Sequence, residues 1–160
     1  MPNYLATYGT FRHQGAMRDT LVSRNARSLG RCVIRGRLFQ SGAYPALKYG
    51  AGRTVGELIE LPWLFDFTTF DIYEDYFPVK PWECRYLRRR VRLIEPKVEA
   101  WVYYYVWPLD ENTLVPSGCW LTALDLSVKA RRIRTDRLPA RYYGPQSRRM
   151  CKWIKANVPR

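Results

Sequence analysis

Two neighbouring segments of the sequence carry apolar or aromatic side chains on both faces of an extended chain. Residues 86–94 alternate Tyr, Arg, Arg and Arg with Leu, Arg, Val and Leu, and residues 98–107 return after a turn with aromatic residues on one face. Side chains alternate across a strand, so both faces of these predicted strands bear large side chains. The pattern favours a sheet covered on both sides or a closed barrel. The expected inward set of the second strand is Ala100, Val102, Tyr104 and Val106.

The remaining elements are predicted from hydrophobic periodicity and from glycine and proline positions. We expect a helix over residues 16–29 that ends at Gly30, because glycine is common just after a helix. Gly36 marks a bulge or a close backbone approach within its strand. The predicted strands cover residues 32–39 and 54–61. An aromatic row predicts one or two helical turns, and its members are Leu64, Phe67, Phe70, Tyr73 and Tyr76.

A short stretch near the start of the chain has the composition of a strand that opens into a loop. Residues 4–8 are aromatic, apolar or β-branched, and Gly9 ends the strand. Thr10 adds a hydroxyl group, and Arg12 adds a positive charge. Such a loop exposes main-chain N–H groups that suit a small anion or a developing oxyanion. The alternative is a turn that only changes the direction of the chain.

The composition is that of a globular domain and excludes several kinds of site. The 160 residues contain 47% hydrophobic and 15% aromatic residues, too many for a disordered chain. We recognise neither a membrane span nor a signal peptide, and therefore expect a cytoplasmic protein without membrane contact. The only histidine is His13, and the four cysteines form no CxxC pair. We expect mostly buried thiols, no metal and no cofactor, and any catalysis must use a carboxylate, a tyrosine or a lysine.

The net charge of +13 is concentrated at the end of the chain. Residues 127–160 contain eleven Lys and Arg and one acid, whereas residues 1–126 contain sixteen Lys and Arg and thirteen acids. We expect one domain over residues 1–126 and a basic extension over residues 127–160 that packs on it. Within it, residues 129–160 either bind nucleic acid or an acidic protein, with tyrosine and tryptophan for stacking, or form a solvated basic surface.

Seven short fragments follow one another over about the first two thirds of the chain. They are YGTFR at 8–12, GRLF at 36–39, GAYPAL at 42–47, TVGELIEL at 54–61, FDIYEDY at 70–76, YLRRRVRL at 86–93 and AWVYYY at 100–105. In this order they resemble the gamma-glutamylcyclotransferase-like family, also called AIG2-like. Each fragment alone is generic, whereas their common order is specific.

The resemblance implies an α+β fold, a small mixed β-barrel with flanking helices and an active cavity beside the YGT-type loop. It also implies a reaction in which the α-amine of a γ-glutamyl amine attacks the side-chain carbonyl, releasing 5-oxoproline and a free amine. Glu74 matches the catalytic acid/base of the family. Tyr76 either lines the pocket or only packs. The residues that match the substrate-holding loop are Tyr8, Gly9, Thr10 and Phe11.

The implied role of Glu74 is physically coherent. One carboxylate can take a proton from the attacking amine and return it to the leaving amine. A free glutamate has a pKa of about 4.3, and burial among aromatic side chains raises it. Asp75 stands where the family usually has glycine, and either raises the pKa of Glu74 further or disturbs the turn. Phe11 replaces the usual leucine, which narrows the pocket. The alternatives are a solvated glutamate at a helix end and a catalytically silent binding module that uses the basic extension.

Overall fold

The computed structural model describes residues 2–9, 11, 21 and 24–123 of the chain. The predictions for Thr10, His13 and the basic extension at residues 127–160 lie outside these residues. The strands are β1 (Asn3–Thr7), β2 (Arg27–Ser41), β3 (Tyr44–Leu61), β4 (Tyr86–Arg92) and β5 (Glu99–Tyr105). The helical segments are α1 (Thr68–Tyr73), two 3-10 turns at Pro81–Glu83 and Glu111–Thr113, and residues 120–123.

The five strands of the described residues form one mixed sheet in the order β2-β3-β1-β5-β4. The central strand β1 pairs antiparallel with β3 and parallel with β5, and the other pairs are antiparallel. The edge strands β2 and β4 form no ladder with each other in this sheet, but an isolated bridge joins Val33 to Glu95. The predicted fold class is therefore confirmed, although the term barrel applies loosely because the sheet is not closed.

Apolar side chains cover both faces of the sheet, as the alternation in the sequence predicted. The even-numbered residues 100, 102 and 104 of β5 belong to one buried cluster, and residues 103 and 105 belong to a second. The second cluster includes Phe70, so α1 covers that face. The inward position expected for Val106 is wrong. This residue follows the end of β5 and is 37% exposed.

The helix predicted over residues 16–29 is wrong at its C-terminal end. Residues 27–29 already belong to β2, because Arg27 and Ser28 pair with Glu60 and Ile59 of β3. Gly30 has the positive φ of +98° expected for a glycine stop, yet it lies inside the strand at a register shift. Pairing with β3 therefore overrides the local helical pattern. Residues 12–20, 22 and 23 lie outside the described part of the chain.

The aromatic helix is present but shorter than its sequence pattern. The carboxylate of Asp66 accepts hydrogen bonds from the main-chain N–H and the hydroxyl of Thr68, at 2.9 and 2.6 Å, and α1 begins there. Phe70 is fully buried, whereas Leu64, predicted to continue the same row, is 87% exposed. Leu64 lies in the turn that follows Pro62, before the helical geometry begins.

The long hairpin of β2 and β3 contains both predicted strands and the predicted irregularity at Gly36. The register shifts between Arg35 and Arg37, and Gly36 has a φ of +141°. A Cβ at Gly36 would overlap the main-chain oxygen of Lys48. The Gly36 carbonyl accepts a hydrogen bond from the buried Thr54 hydroxyl at 3.0 Å. Glycine is therefore required both for the backbone conformation and for the close approach of the strands.

We expect Gly36→Ala to destabilise the protein more than Gly50→Ala. Gly50 has nearly the same φ, +144°, but no atom lies within 4 Å of a Cβ built on it. Both substitutions carry the strain of a positive φ, about 1–3 kcal/mol. Only Gly36→Ala adds the overlap with Lys48, so its free energy of unfolding in urea is expected to fall by about 1–3 kcal/mol more. Equal losses in the two variants would contradict the close approach.

Candidate active site

The loop after β1 places its first two residues against the core of the protein. The hydroxyl of Tyr8 donates a hydrogen bond to the main-chain oxygen of Tyr103 at 2.6 Å. Burial raises the pKa of Tyr8 well above its usual value. The side chain of Tyr8 is therefore fixed in the core by this hydrogen bond, and its main chain continues into the loop. Thr10, the next residue but one, lies outside the described part of the chain.

Gly9 brings this loop into contact with the beginning of β3. A Cβ at Gly9 would overlap the ring carbon Cγ of Pro45, so this close approach excludes any larger residue. The main-chain oxygen of Pro45 accepts a hydrogen bond from the hydroxyl of Tyr86 at 2.9 Å. Three segments that are distant in sequence therefore meet at Pro45. They are the residues just after β1, the start of β3 and the start of β4.

Glu74 ends the helix α1, and the turn that follows has the hydrogen bonds of a Schellman motif. The N–H of Tyr76 donates to the carbonyl of Asp71 at 2.8 Å, and the N–H of Asp75 donates to the carbonyl of Ile72 at 3.2 Å. Asp75 occupies the position that this motif keeps for a left-handed residue, and its φ is +51°. A glycine would take this conformation without strain, and aspartate is among the few other residues that tolerate it.

Asp75 fits the turn and also affects its neighbour. Its carboxylate lies 3.6 Å from Nε of Arg85, and its main-chain oxygen accepts a hydrogen bond from the Arg85 N–H at 3.0 Å. Burial raises the pKa of Asp75, and Arg85 opposes this effect. Of the two effects considered from sequence, the first occurs, because the negative charge of Asp75 helps to raise the pKa of Glu74.

The carboxyl group of Glu74 is surrounded by protein atoms although the residue retains some accessible surface. Burial, with smaller contributions from the charges of Asp75 and Asp71, raises the pKa of Glu74 to about 8. Aromatic rings pack on the helix that ends at Glu74. Phe11 is buried, and its ring centroid lies 5.0 Å from that of Phe70 and 5.5 Å from that of Tyr73. With a pKa of about 8, Glu74 is mostly protonated at neutral pH and ionises as the pH rises through this value.

The electrostatic couplings of Glu74 show which groups it faces. Burial raises the pKa values of Tyr8, Tyr86 and Tyr103, and the charge of Glu74 raises each of them further. Glu74 is therefore electrostatically coupled to one tyrosine just after β1, one at the start of β4 and one in β5.

Asp71 is a second, partly buried acid in this region that the motif analysis did not single out. Its Oδ1 accepts a hydrogen bond from the Tyr103 hydroxyl at 2.7 Å and lies 3.3 Å from Nη1 of Arg88. Burial raises the pKa of Asp71 to about 6, against the opposing effects of Tyr103 and Arg88. Asp71 and Glu74 are three residues apart, and this spacing, which places both on one helix face, was the available signal.

Tyr76 packs beside Arg88, with its ring centroid 5.7 Å from the guanidinium carbon. The same guanidinium lies 3.9 Å from the ring centroid of Phe67 and 5.0 Å from that of Trp101. Cations are attracted to aromatic faces at these distances. Of the two roles considered for Tyr76, packing is thus visible in the structure, and a contact with substrate stays a prediction.

The described residues lack two further features, a metal-binding group and a membrane-spanning helix. No group of three or more His, Cys, Asp or Glu side chains there could hold a metal ion. Over the same residues, no helix has both the length and the apolar character needed to cross a membrane.

The sequence matches the family described as Gamma-glutamyl cyclotransferase, AIG2-like, over residues 5–122. The match spans most of the chain and includes Tyr8, Gly9, Glu74 and Tyr86. The chain therefore belongs to this family. No curated protein matches the sequence at a significant level.

Solved structures with the same fold include proteins from bacteria and from an archaeon. The uncharacterized protein PH0828 from Pyrococcus horikoshii is 20% identical, with a TM-score of 0.56 over 82% of this chain and 99% of that chain. YkqA from Bacillus subtilis is 20% identical, with a TM-score of 0.59 over 82% of this chain and 44% of that chain. Protein ytfP from Escherichia coli is 26% identical, with a TM-score of 0.55 over 75% and 97%.

We expect Glu74→Gln to stabilise the protein increasingly as the pH rises from 5 to 8. In the wild type the unfolded chain releases the Glu74 proton near pH 4.5, whereas the folded protein keeps it until about pH 8. Between these pH values folding takes up a proton, so the free energy of unfolding of the wild type falls by at most about 1.4 kcal/mol per pH unit. Glutamine does not titrate, so the variant does not lose this stability.

Urea unfolding at several pH values measures the difference. Glu83→Gln is the matched control, because Glu83 is an exposed partner of Lys80 and the substitution removes the same charge. Its stability relative to wild type should change little over this range. A stability difference for Glu74→Gln that stays constant from pH 5 to 8 would show that the pKa of Glu74 is not raised.

Proposed function

We propose that the protein is a gamma-glutamylcyclotransferase, which converts a γ-glutamyl amine into 5-oxoproline and a free amine, with Glu74 as general base and then general acid. The proposal is carried by the family match over residues 5–122 together with the position of Glu74 at the end of α1, where burial raises its pKa to about 8. An acid with a pKa near the working pH exchanges protons most effectively. A carboxylate that served only the fold would gain nothing from this shift.

The reaction needs one group that moves a proton between two amines. The α-amine of the substrate attacks the γ-carbonyl carbon, forming a C–N bond, while ionised Glu74 accepts the proton that the nucleophile loses. The tetrahedral intermediate then breaks the original amide bond, and Glu74 returns the proton to the leaving amine. Water is not consumed and the carboxylate is regenerated. Ring closure within one molecule lowers the entropic part of the barrier, provided the site holds a reactive conformer.

The loop that begins at Gly9 is the proposed holder of the glutamyl carboxylate or of the oxyanion. Its contact with Pro45 fixes the main chain there, and donors fixed in advance stabilise developing charge without reorganising. Phe11 packs on α1 behind this loop and supports its position relative to Glu74. In this proposal Tyr8, Gly9, Thr10 and Phe11 hold the substrate, and Tyr76 borders the site.

The direct test measures 5-oxoproline released from a panel of γ-glutamyl amino acids and γ-glutamyl-lysine. Glu74→Gln keeps the size of the side chain but cannot accept the proton, so the rate is expected to fall by about 10²–10⁴-fold. Glu83→Gln should retain the wild-type rate. Absence of release from the whole panel by the wild type would leave a protein of this fold that only binds its partners. Equal measurable rates for wild type and Glu74→Gln would show that Glu74 is not the general base.

A second measurement uses the effect of Asp75 on its neighbour. The wild-type kcat/KM is expected to rise with pH through about 8 as Glu74 ionises, and Asp75→Asn should move this rise to lower pH because it removes a charge that raises the pKa. Asparagine also tolerates the left-handed conformation. The titration of the substrate amine is common to both proteins, so the difference between them reports on Glu74. Identical profiles would argue against Glu74 as the base.

A further inference from the structure

An open groove of about 710 Å³ lies between β4 and the hairpin of β2 and β3. One side is formed by residues 90–94, from the end of β4 onward, and by Lys97, and the other side is formed by Arg35 and Tyr49. The bridge between Val33 and Glu95 joins the two sides close to this groove, since Val33 lies two residues before Arg35 and Glu95 follows Ile94. The groove therefore occupies the gap where the two edge strands of the open sheet separate.

The lining of this groove is positively charged. It contains the four cations Arg35, Arg90, Arg92 and Lys97, and it contains no acid. Other surface arginines are paired with acids, for example Arg27 with Glu60 and Arg37 with Glu111. None of the ion pairs found among residues 2–9, 11, 21 and 24–123 involves the four groove cations. Their charges are therefore available to a ligand.

An aromatic ring is exposed in the same groove. Tyr49 is 63% exposed, and its ring meets the ring of Tyr104 edge-on with centroids 5.3 Å apart. The hydroxyl of Tyr104 in turn donates a hydrogen bond to the main-chain oxygen of Arg35 at 3.0 Å. The Tyr49 ring is thus supported from the core and presents an accessible face beside the cations.

We propose that this groove binds single-stranded nucleic acid. Cations along a groove bind successive phosphates, and an exposed aromatic ring stacks on a base that is not already stacked in a duplex. An acidic protein segment would use the charges but would leave the ring without a stacking partner. The groove is distinct from the candidate active site, since Arg90 lies four residues along β4 from Tyr86, a separation of about 13 Å. The two sites can be tested independently.

The experiment measures fluorescence anisotropy of labelled oligo(U) and oligo(dT) dodecamers with the full chain over a series of salt concentrations. Each phosphate contact contributes about −0.7 to the slope of log affinity against log salt. Arg90→Gln with Arg92→Gln should therefore make the slope less steep by about 1.4. Arg27→Gln with Arg37→Gln removes the same charge from paired positions and should keep the slope. The unchanged basic extension contributes equally to both.

A second variant tests stacking and guards against misfolding. Tyr49→Ala should weaken binding about tenfold with little change in the salt slope, whereas Trp82→Ala, which also removes an exposed aromatic ring, should have no effect. If the double variant on β4 unfolds in circular dichroism, Arg35→Gln with Lys97→Gln, one cation from each side of the groove, replaces it. Release of 5-oxoproline gives a further check that the fold is intact.

Several results would overturn the proposal. They are failure of the wild type to bind either oligonucleotide at 50 mM salt (about the low end used for such titrations), equal changes of slope in the groove and control variants, and equally tight binding of a labelled poly-glutamate dodecamer. Equal affinity for a duplex of the same length would also overturn it, because Tyr49 would then contribute nothing. Preference for RNA or for DNA is compatible with the proposal.

Discussion

The arrangement of the molecule depends on the pairing of one short strand on both of its sides. β1 contains five residues, and it joins the long β2–β3 hairpin on one side to the β4–β5 pair on the other. Its C-terminal end is therefore held between two independent parts of the sheet. The next residues, Tyr8 and Gly9, are delivered to Pro45 at the start of β3, and Tyr86 at the start of β4 reaches the same proline. Without β1, the β2–β3 hairpin and the β4–β5 pair would not be joined in one sheet, and these segments would not be fixed relative to one another.

Burial of the acid at the end of α1 opposes the stability of the fold near neutral pH. A carboxyl group that stays protonated to about pH 8 reduces the stability of the fold near neutral pH, because the unfolded chain would rather release the proton. Asp71 and Asp75 increase this cost, and their partners Arg88 and Arg85 limit it. Perturbed carboxyl groups of this kind cluster at functional sites, where the protein tolerates local strain for activity. The left-handed Asp75 adjoins the same group.

Much of the fold could be predicted from the sequence, because alternation along β4 and β5 and the glycines of β2 and β3 are local signals. The resemblance placed Glu74 and Gly9 in one site. The helix predicted up to Gly30 failed because pairing of Arg27 with β3 is a tertiary interaction that no window of sequence contains. Asp71 was missed because an acid on a short helix is usually solvated, and its burial depends on Tyr103, 32 residues away. The gap between β2 and β4 likewise depends on strand order alone.

An open sheet has a further consequence for the behaviour of the chain in solution. Within the described sheet, β4 pairs only with β5, so its outer edge carries main-chain donors and acceptors that another strand can recruit. The outer edge of β2 is partly bonded already, at Val33 to Glu95 and at Leu38 to Val115. The exposed arginines at positions 89, 90 and 92 disfavour such recruitment at β4, because two copies laid edge to edge would bring like charges together.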